Sequence, residues 1–138
     1  MIKPENNIFQ QNNKANFPNK TELVKYLLAN YDLTNEYDIS YFTDDIVYRI
    51  GNIEPLIGSK KILEFGLRLK DKIEHTSHEI KNIWEIEDTV IVESNVIFKP
   101  KEGNVIQLPN ATIIRFRDYK VRHLQAFIDI SHILNKNI

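Results

Sequence analysis

The sequence predicts an α+β domain, cone-shaped, with N-terminal helices packed in a curved antiparallel β-sheet. Three observations predict it. Apolar residues recur at helical spacing in the first half of the chain, most clearly at Ile62, Phe65, Leu69 and Ile73. From His75 onward the pattern changes to long β-like runs. Those runs are parted by short turn signals at Glu87-Asp88, Pro100–Asn104 and Asp118-Tyr119, which reads as a meander of consecutive hairpins. One face of such a sheet needs cover, and the helices ahead of it are the segments available.

Composition narrows the function classes. A chain of 138 residues is of one-domain size. It buries about two thirds of its unfolded surface, enough for a core without staples. With no cysteine, disulfides, thiol catalysis and zinc–thiolate sites are excluded. A net charge of −1 argues against a nucleic-acid binder, which would carry a basic face. No apolar run approaches the roughly 20 residues that span a bilayer, and the first residues lack the apolar region of a signal peptide. The expectation is a cytoplasmic protein with neither nucleic acid nor membrane as partner.

Residues 1–18 are crowded with Asn and Gln and show no period. They read as a flexible N-terminal leader, docked in part through Ile8, Phe9 and Phe17, ahead of one domain over 19–138. Asn19-Lys20-Thr21-Glu22 has the form of a capping box. Leu23, Leu27, Leu28 and Tyr31 follow on one helical stripe. A second short helix is predicted from Asn35 to Phe42, with Ile39 and Phe42 inward. Ile46–Ile50 reads as a strand with Ile46, Tyr48 and Ile50 on one face. Gly51-Asn52 and Pro55 mark a loop, and Gly58-Ser59 opens a third helix. Gly66 interrupts that helix at a cost of about 1 kcal/mol relative to Ala, which close packing against the sheet would explain. The long runs are His75–Ile86, Thr89–Lys99, Val105–Arg117 and Val121–Ile130. Strands of this length exceed the usual five or six residues, so the sheet must coil, leaving a conical cavity under the helices. Pro109 marks a bulge or an edge.

Several landmarks resemble the nuclear-transport-factor-2-like superfamily, SnoaL-like branch. They are Phe42-Thr43-Asp44-Asp45, Gly58, His78-Glu79-Ile80 with Trp84, Leu108-Pro109, Arg115-Phe116-Arg117-Asp118, and Phe127-Ile128-Asp129-Ile130-Ser131. In SnoaL-like polyketide cyclases an Asp on the last strand points into the cone and serves as acid/base without a cofactor; Asp129 matches that position. The carboxylate positions of the related ketosteroid isomerases fall on Ile50 and Thr112, a departure that argues against that isomerase chemistry. A homodimer through the sheet is common in families this resembles.

Period 2 puts Asp129 on one face with His123, Gln125 and Phe127. If that face lines the cavity, burial raises the carboxyl's pKa and suits it to remove a proton beside a carbonyl. Otherwise Asp129 ends the sheet and hydrogen-bonds backbone or Ser131. His78 either assists Asp129 or is a satisfied histidine at the rim. Tyr48, Trp84, Asn110, Thr112, Gln125 and Phe127 are the candidate ligand contacts, in a pocket mostly apolar with a few placed polar groups. No metal site is expected: His75 and His78, three apart on a strand, point to opposite faces. No cofactor is implied. Ile91, Ile97, Ile113, Leu124, Ala126 and Ile128 are the expected outer face, greasy enough to mark an interface. The predicted function is binding of a small, largely apolar molecule, with Asp129 as acid/base if the protein is a cyclase, isomerase or hydrolase. The alternative is a non-catalytic ligand-binding or dimerisation module.

Overall fold

The computed structural model describes residues 16–134. Of the expected leader over 1–18, Asn16, Phe17 and Pro18 are therefore described, while Ile8 and Phe9 lie outside the described residues. Phe17 packs its ring against Tyr26 and Tyr41, at centroid distances of 5.4 and 5.7 Å.

Helix α1 spans Lys20–Thr34, and Asn19 caps it through its side chain, which accepts from the Glu22 N–H at 2.9 Å. Leu23, Val24, Leu27 and Leu28 are buried on its inner stripe. Each such side chain contributes about 1.5–3 kcal/mol on burial. The helix stops at Asn35, whose φ of 62° is left-handed and whose N–H bonds the Tyr31 carbonyl at 2.7 Å. That left-handed cap ends any helix at the point where the sequence predicts a second one. Instead Asp38 accepts from the Ser40 N–H and hydroxyl, and only a 3₁₀ turn forms, Ile39–Tyr41.

Strand β1 (Phe42–Ile50), β2 (Leu56–Ile57), helix α2 (Ser59–Lys70), β3 (Ile73–Ile86), β4 (Thr89–Pro100), β5 (Ile106–Arg117), β6 (Lys120–Phe127) and the short α3 (Ser131–Leu134) complete the order. Ile73, assigned by spacing to the helical stripe, opens β3 instead. The six strands form one open sheet in the order β2-β1-β6-β5-β4-β3. The meander β3–β6 is antiparallel, and β1 joins it parallel to β6, so the sheet is mixed. Its inner face meets α1 and α2 through Ile46, Tyr48, Val90, Val92, Ile114 and Phe116. A second cluster beyond it joins Val96, Phe98, Ala126, Ile128, Ile130 and Ile133.

Two of the sheet's register shifts decide which of the candidate side chains face inward. On β3, Ile80 pairs with Ser94 but Asn82 pairs with Glu93, so Lys81 is the extra residue. On β6, Val121 pairs with Phe116 but His123 pairs with Arg115, so Arg122 is the extra residue. Each bulge reverses the alternation downstream of it. Leu124, Ala126 and Ile128, expected outside, are therefore buried on the inner side, and Trp84 is turned out of phase with His78. Ile91, Ile97 and Ile113 do lie on the outer face, only half-buried. The Asp118-Tyr119 turn places its positive φ of 56° on Asp118, which tolerates that region, so Tyr119 carries no left-handed strain.

Two glycines act in opposite ways. A Cβ on Gly51 (φ +57°) would come within 2.8 Å of the Ile128 carbonyl oxygen, so the end of β1 and the chain after β6 meet only because it is glycine. A Cβ on Gly66 would have nothing within 4 Å, so close packing does not explain that residue. Among the described residues, no helix is long and apolar enough to cross a membrane.

Candidate functional site

Helix α1 lies along β3 and is held there at both ends. At its start the Glu85 carboxylate accepts from the Thr21 N–H and hydroxyl at 2.9 and 2.8 Å. At its end Asp32 accepts from the His78 backbone N–H at 2.9 Å and faces His78 Nδ1 at 2.7 Å. A carboxylate in the last turn of a helix opposes the macrodipole, and this last turn carries no basic residue to offset it. The two bonds to His78 supply the compensation. In the tautomer whose Nδ1–H donates to Asp32, the ring's lone pair lies on Nε2. The pair is sheltered, with side-chain exposures of 10 % for His78 and 24 % for Asp32.

Tyr31, one residue before Asp32, sets its ring edge-on to His78 at 5.9 Å. Tyr31 meets Tyr37 at 4.7 Å, Tyr37 meets Tyr48 at 6.1 Å, and Tyr48 meets Phe65 at 6.5 Å. This aromatic series runs from the histidine to helix α2. Tyr37 comes from the segment after the Asn35 cap, a segment fixed by the Tyr26 hydroxyl donating to Asp38 at 2.6 Å. That bond, with burial, pushes the Tyr26 phenol up to about 12.

Between the three tyrosines and α2 lies a cavity of about 180 Å³, walled also by Ile39, Ile62, Phe65, Gly66 and Leu69. An engineered apolar cavity of about 150 Å³ accommodates benzene, so a single ring is the right scale. Glu36 and Lys70, paired at 2.7 Å, stand at its margin and tie the end of α1 to the end of α2. Burial pushes the Tyr31 phenol up to about 12, with the Asp32 charge adding to it. Burial likewise drives up those of Tyr37 and Tyr48, helped by their neighbouring phenols. All three are therefore neutral through the physiological range; Tyr48 donates to Tyr37, which leaves the hydroxyls of Tyr31 and Tyr37 to donate to a carbonyl or developing oxyanion.

The sequence-derived site residues do not converge. Tyr48 lines the cavity, and His78 stands beside it behind Tyr31. Asn110 and Thr112 are buried on the inner face, joined at 2.9 Å, with Ser94 at 3.4 Å from Asn110, but they are not cavity walls. Gln125 and Phe127 lie on the outer face, Phe127 53 % exposed, and so does Trp84 at 48 %. The cause is the extra residue Arg122 for the first two and Lys81 for Trp84. His123 also faces outward, and burial, then Arg115 and Arg122, hold its imidazole below the usual range.

Asp129 is exposed, and its Oδ1 accepts from the Ser131 N–H at 3.0 Å and hydroxyl at 2.6 Å. It borders a shallow depression with Gly51, Asn52 and Ile53. His78 and the end of β6 are three strands apart, about 14 Å. The expected partnership of His78 with Asp129 is thus replaced by one with Asp32. Asp32 could have been found from its sequence position, as an acidic residue in a helical last turn.

The sequence profile of the SnoaL-like domain matches residues 29–124. No curated protein matches the chain. Among solved structures, a protein assigned as a SnoaL-like polyketide cyclase from Jannaschia sp. CCS1 is similar at 15 % identity, covering 84 % of this chain and 89 % of its own, with a TM-score of 0.72. A ketosteroid-isomerase-like protein from Catenulispora acidiphila, solved in complex with trimethylamine, is similar at 22 % identity, covering 83 % and 91 %, with a TM-score of 0.71. TerC, co-crystallised with polyporic acid, is similar at 16 % identity, covering 84 % and 95 %, with a TM-score of 0.73. At these identities the solved structures bear on the fold alone, whereas the profile spans more than half of the sequence. The chain belongs to the SnoaL-like domain family.

Proposed function

We propose that the protein binds a small, largely apolar molecule in the tyrosine-lined cavity and transfers a proton on it without a cofactor. The observation that carries this reading is the Asp32–His78 pair, at 2.7 Å, beside a cavity walled by three protonated phenols. The phenols of Tyr31 and Tyr37, the latter accepting from Tyr48, donate to a ligand oxygen, which acidifies the adjacent C–H. His78, oriented and polarised by Asp32, accepts the proton at the Tyr31 end of the cavity. Asp129 has no part in this reading, since its carboxylate accepts from Ser131 in a turn after β6 and is not a wall of the cavity.

The test is solvent deuterium exchange into a panel of small cyclic ketones, followed by NMR. Wild type exchanges the α-protons, and His78→Gln slows exchange by about 100- to 10,000-fold. Equal exchange by wild type and His78→Gln sinks the acid/base reading. It would leave the alternative, a ligand-binding module without chemistry.

The outer face supports a second property, self-association. Trp84, Ile91 and Ile113 form one cross-strand row, with Ile86 and Phe127 exposed beside it. An apolar strip of this kind on a sheet is suited to a second copy of itself. Sedimentation velocity at micromolar concentration should give a dimer that Trp84→Lys converts to monomer. A monomeric wild type ends that reading.

A further inference from the structure

We propose that Gly66 sets the size limit of the cavity, and that the ligand is a flat single-ring molecule lying against the bare helix backbone there. The proposal rests on the binding reading above and names what the site selects. Gly66 sits inside α2, where glycine is unfavourable, and it is not among the residues with positive φ. Nor does another group press on it, since a Cβ would meet nothing within 4 Å. The two structural reasons for an interior helical glycine are both missing, and what remains is the space itself.

That space belongs to the cavity. Gly66 walls both the 180 Å³ chamber and a smaller void of about 10 Å³ that leads toward Thr76 and Phe98. Tyr31, Asn35, Leu69 and Lys70 border both, so the two meet at Gly66. A helical backbone has its amides bonded internally, so it offers a flat wall with no donor to satisfy. A planar ring can approach it more closely than any side chain would allow. Polar recognition then falls to the tyrosine side, and size recognition to Gly66.

The experiment compares wild type with Gly66→Ala, using phenol as probe, by titration calorimetry and thermal melting. The expected result is a pair of opposite changes. Gly66→Ala should melt higher by about 3 °C, because alanine favours the helix and its methyl has room. Phenol should bind at least about tenfold more weakly, because the methyl takes the ring's place. Unchanged phenol affinity in Gly66→Ala overturns the assignment, and so does a lower melting temperature, which would mean the space is not open. Wild type that binds no phenol removes the binding reading itself, a result distinct from either.

Discussion

Asp32 and Asp129 are both carboxylates near the end of a secondary element, and each accepts from the backbone N–H of another residue and meets that residue's side chain. They differ in reach. Asp129 grips Ser131, two positions on, whereas Asp32 grips His78, 46 positions away. The near bond can form in a short peptide, so it shapes a turn and says little about the rest of the molecule. The far bond exists only when α1 lies along β3, so its geometry is imposed by the whole fold. Sites that need groups held in fixed relation are built from the second kind of bond.

This contrast can be broken experimentally. The largest expected effect is on proton transfer: in the ketone-exchange assay Asp32→Asn should lose about 100- to 10,000-fold, through the wrong tautomer or orientation of His78, while Asp129→Asn keeps the wild-type rate. A loss in Asp129→Asn with none in Asp32→Asn would reverse the assignment. Next comes stability. Asp32→Ala strands a sheltered backbone N–H and a ring nitrogen, and should cost about 1–3 kcal/mol in urea denaturation. Asp129→Ala removes the side-chain bonds to Ser131 at the start of a four-residue helix and should cost about 1 kcal/mol or less. Equal losses would mean that reach does not matter here.

The smallest effect is on tyrosine titration. Burial and then the Asp32 charge raise the folded Tyr31 phenol to about 12, above its unfolded value near 10. The unfolded chain therefore releases that proton first. The stability tied to Tyr31 is complete below pH 10 and is lost as pH climbs from 10 toward 12. Tyr37 and Tyr48 act in the same direction. Absorbance at 295 nm should show these three phenols ionising only with unfolding. Asp32→Asn should bring Tyr31 down slightly, and Asp129→Asn should leave the curve alone.

Much of the fold was legible in the sequence because its signals are local. The Asn19 cap, the stripe of Leu23, Leu27 and Leu28, and the hairpin turns each depend on neighbours a few residues apart. The second helix was misread because Asn35 is compatible with both a helix and a left-handed cap, and only the observed φ of 62° separates them. The candidate site was less legible. Tyr48 and His78 were found from strand phase within stretches of unbroken pairing, Val47–Ile50 and His75–Ile80. Trp84, Gln125, Phe127 and Asp129 lie downstream of Lys81 or Arg122, and no residue type announces a bulge on a charged, exposed position. Asp32 and Gly66 carried weak local anomalies, an acid and a glycine where a helix disfavours them. Such violations of local preference are where a fold makes room for something else.

Arg122 acts on β6 much as an inserted base acts on a reading frame. Upstream of it the strand has one meaning, and downstream the same letters are delivered to the opposite audience. Deleting Arg122 alone would close the bulge into a regular ladder and leave His123, Gln125 and Phe127 outside and Leu124 and Ala126 inside. A strand of this sheet can therefore absorb a one-residue insertion or deletion at a bulge and keep its lining and its outer face.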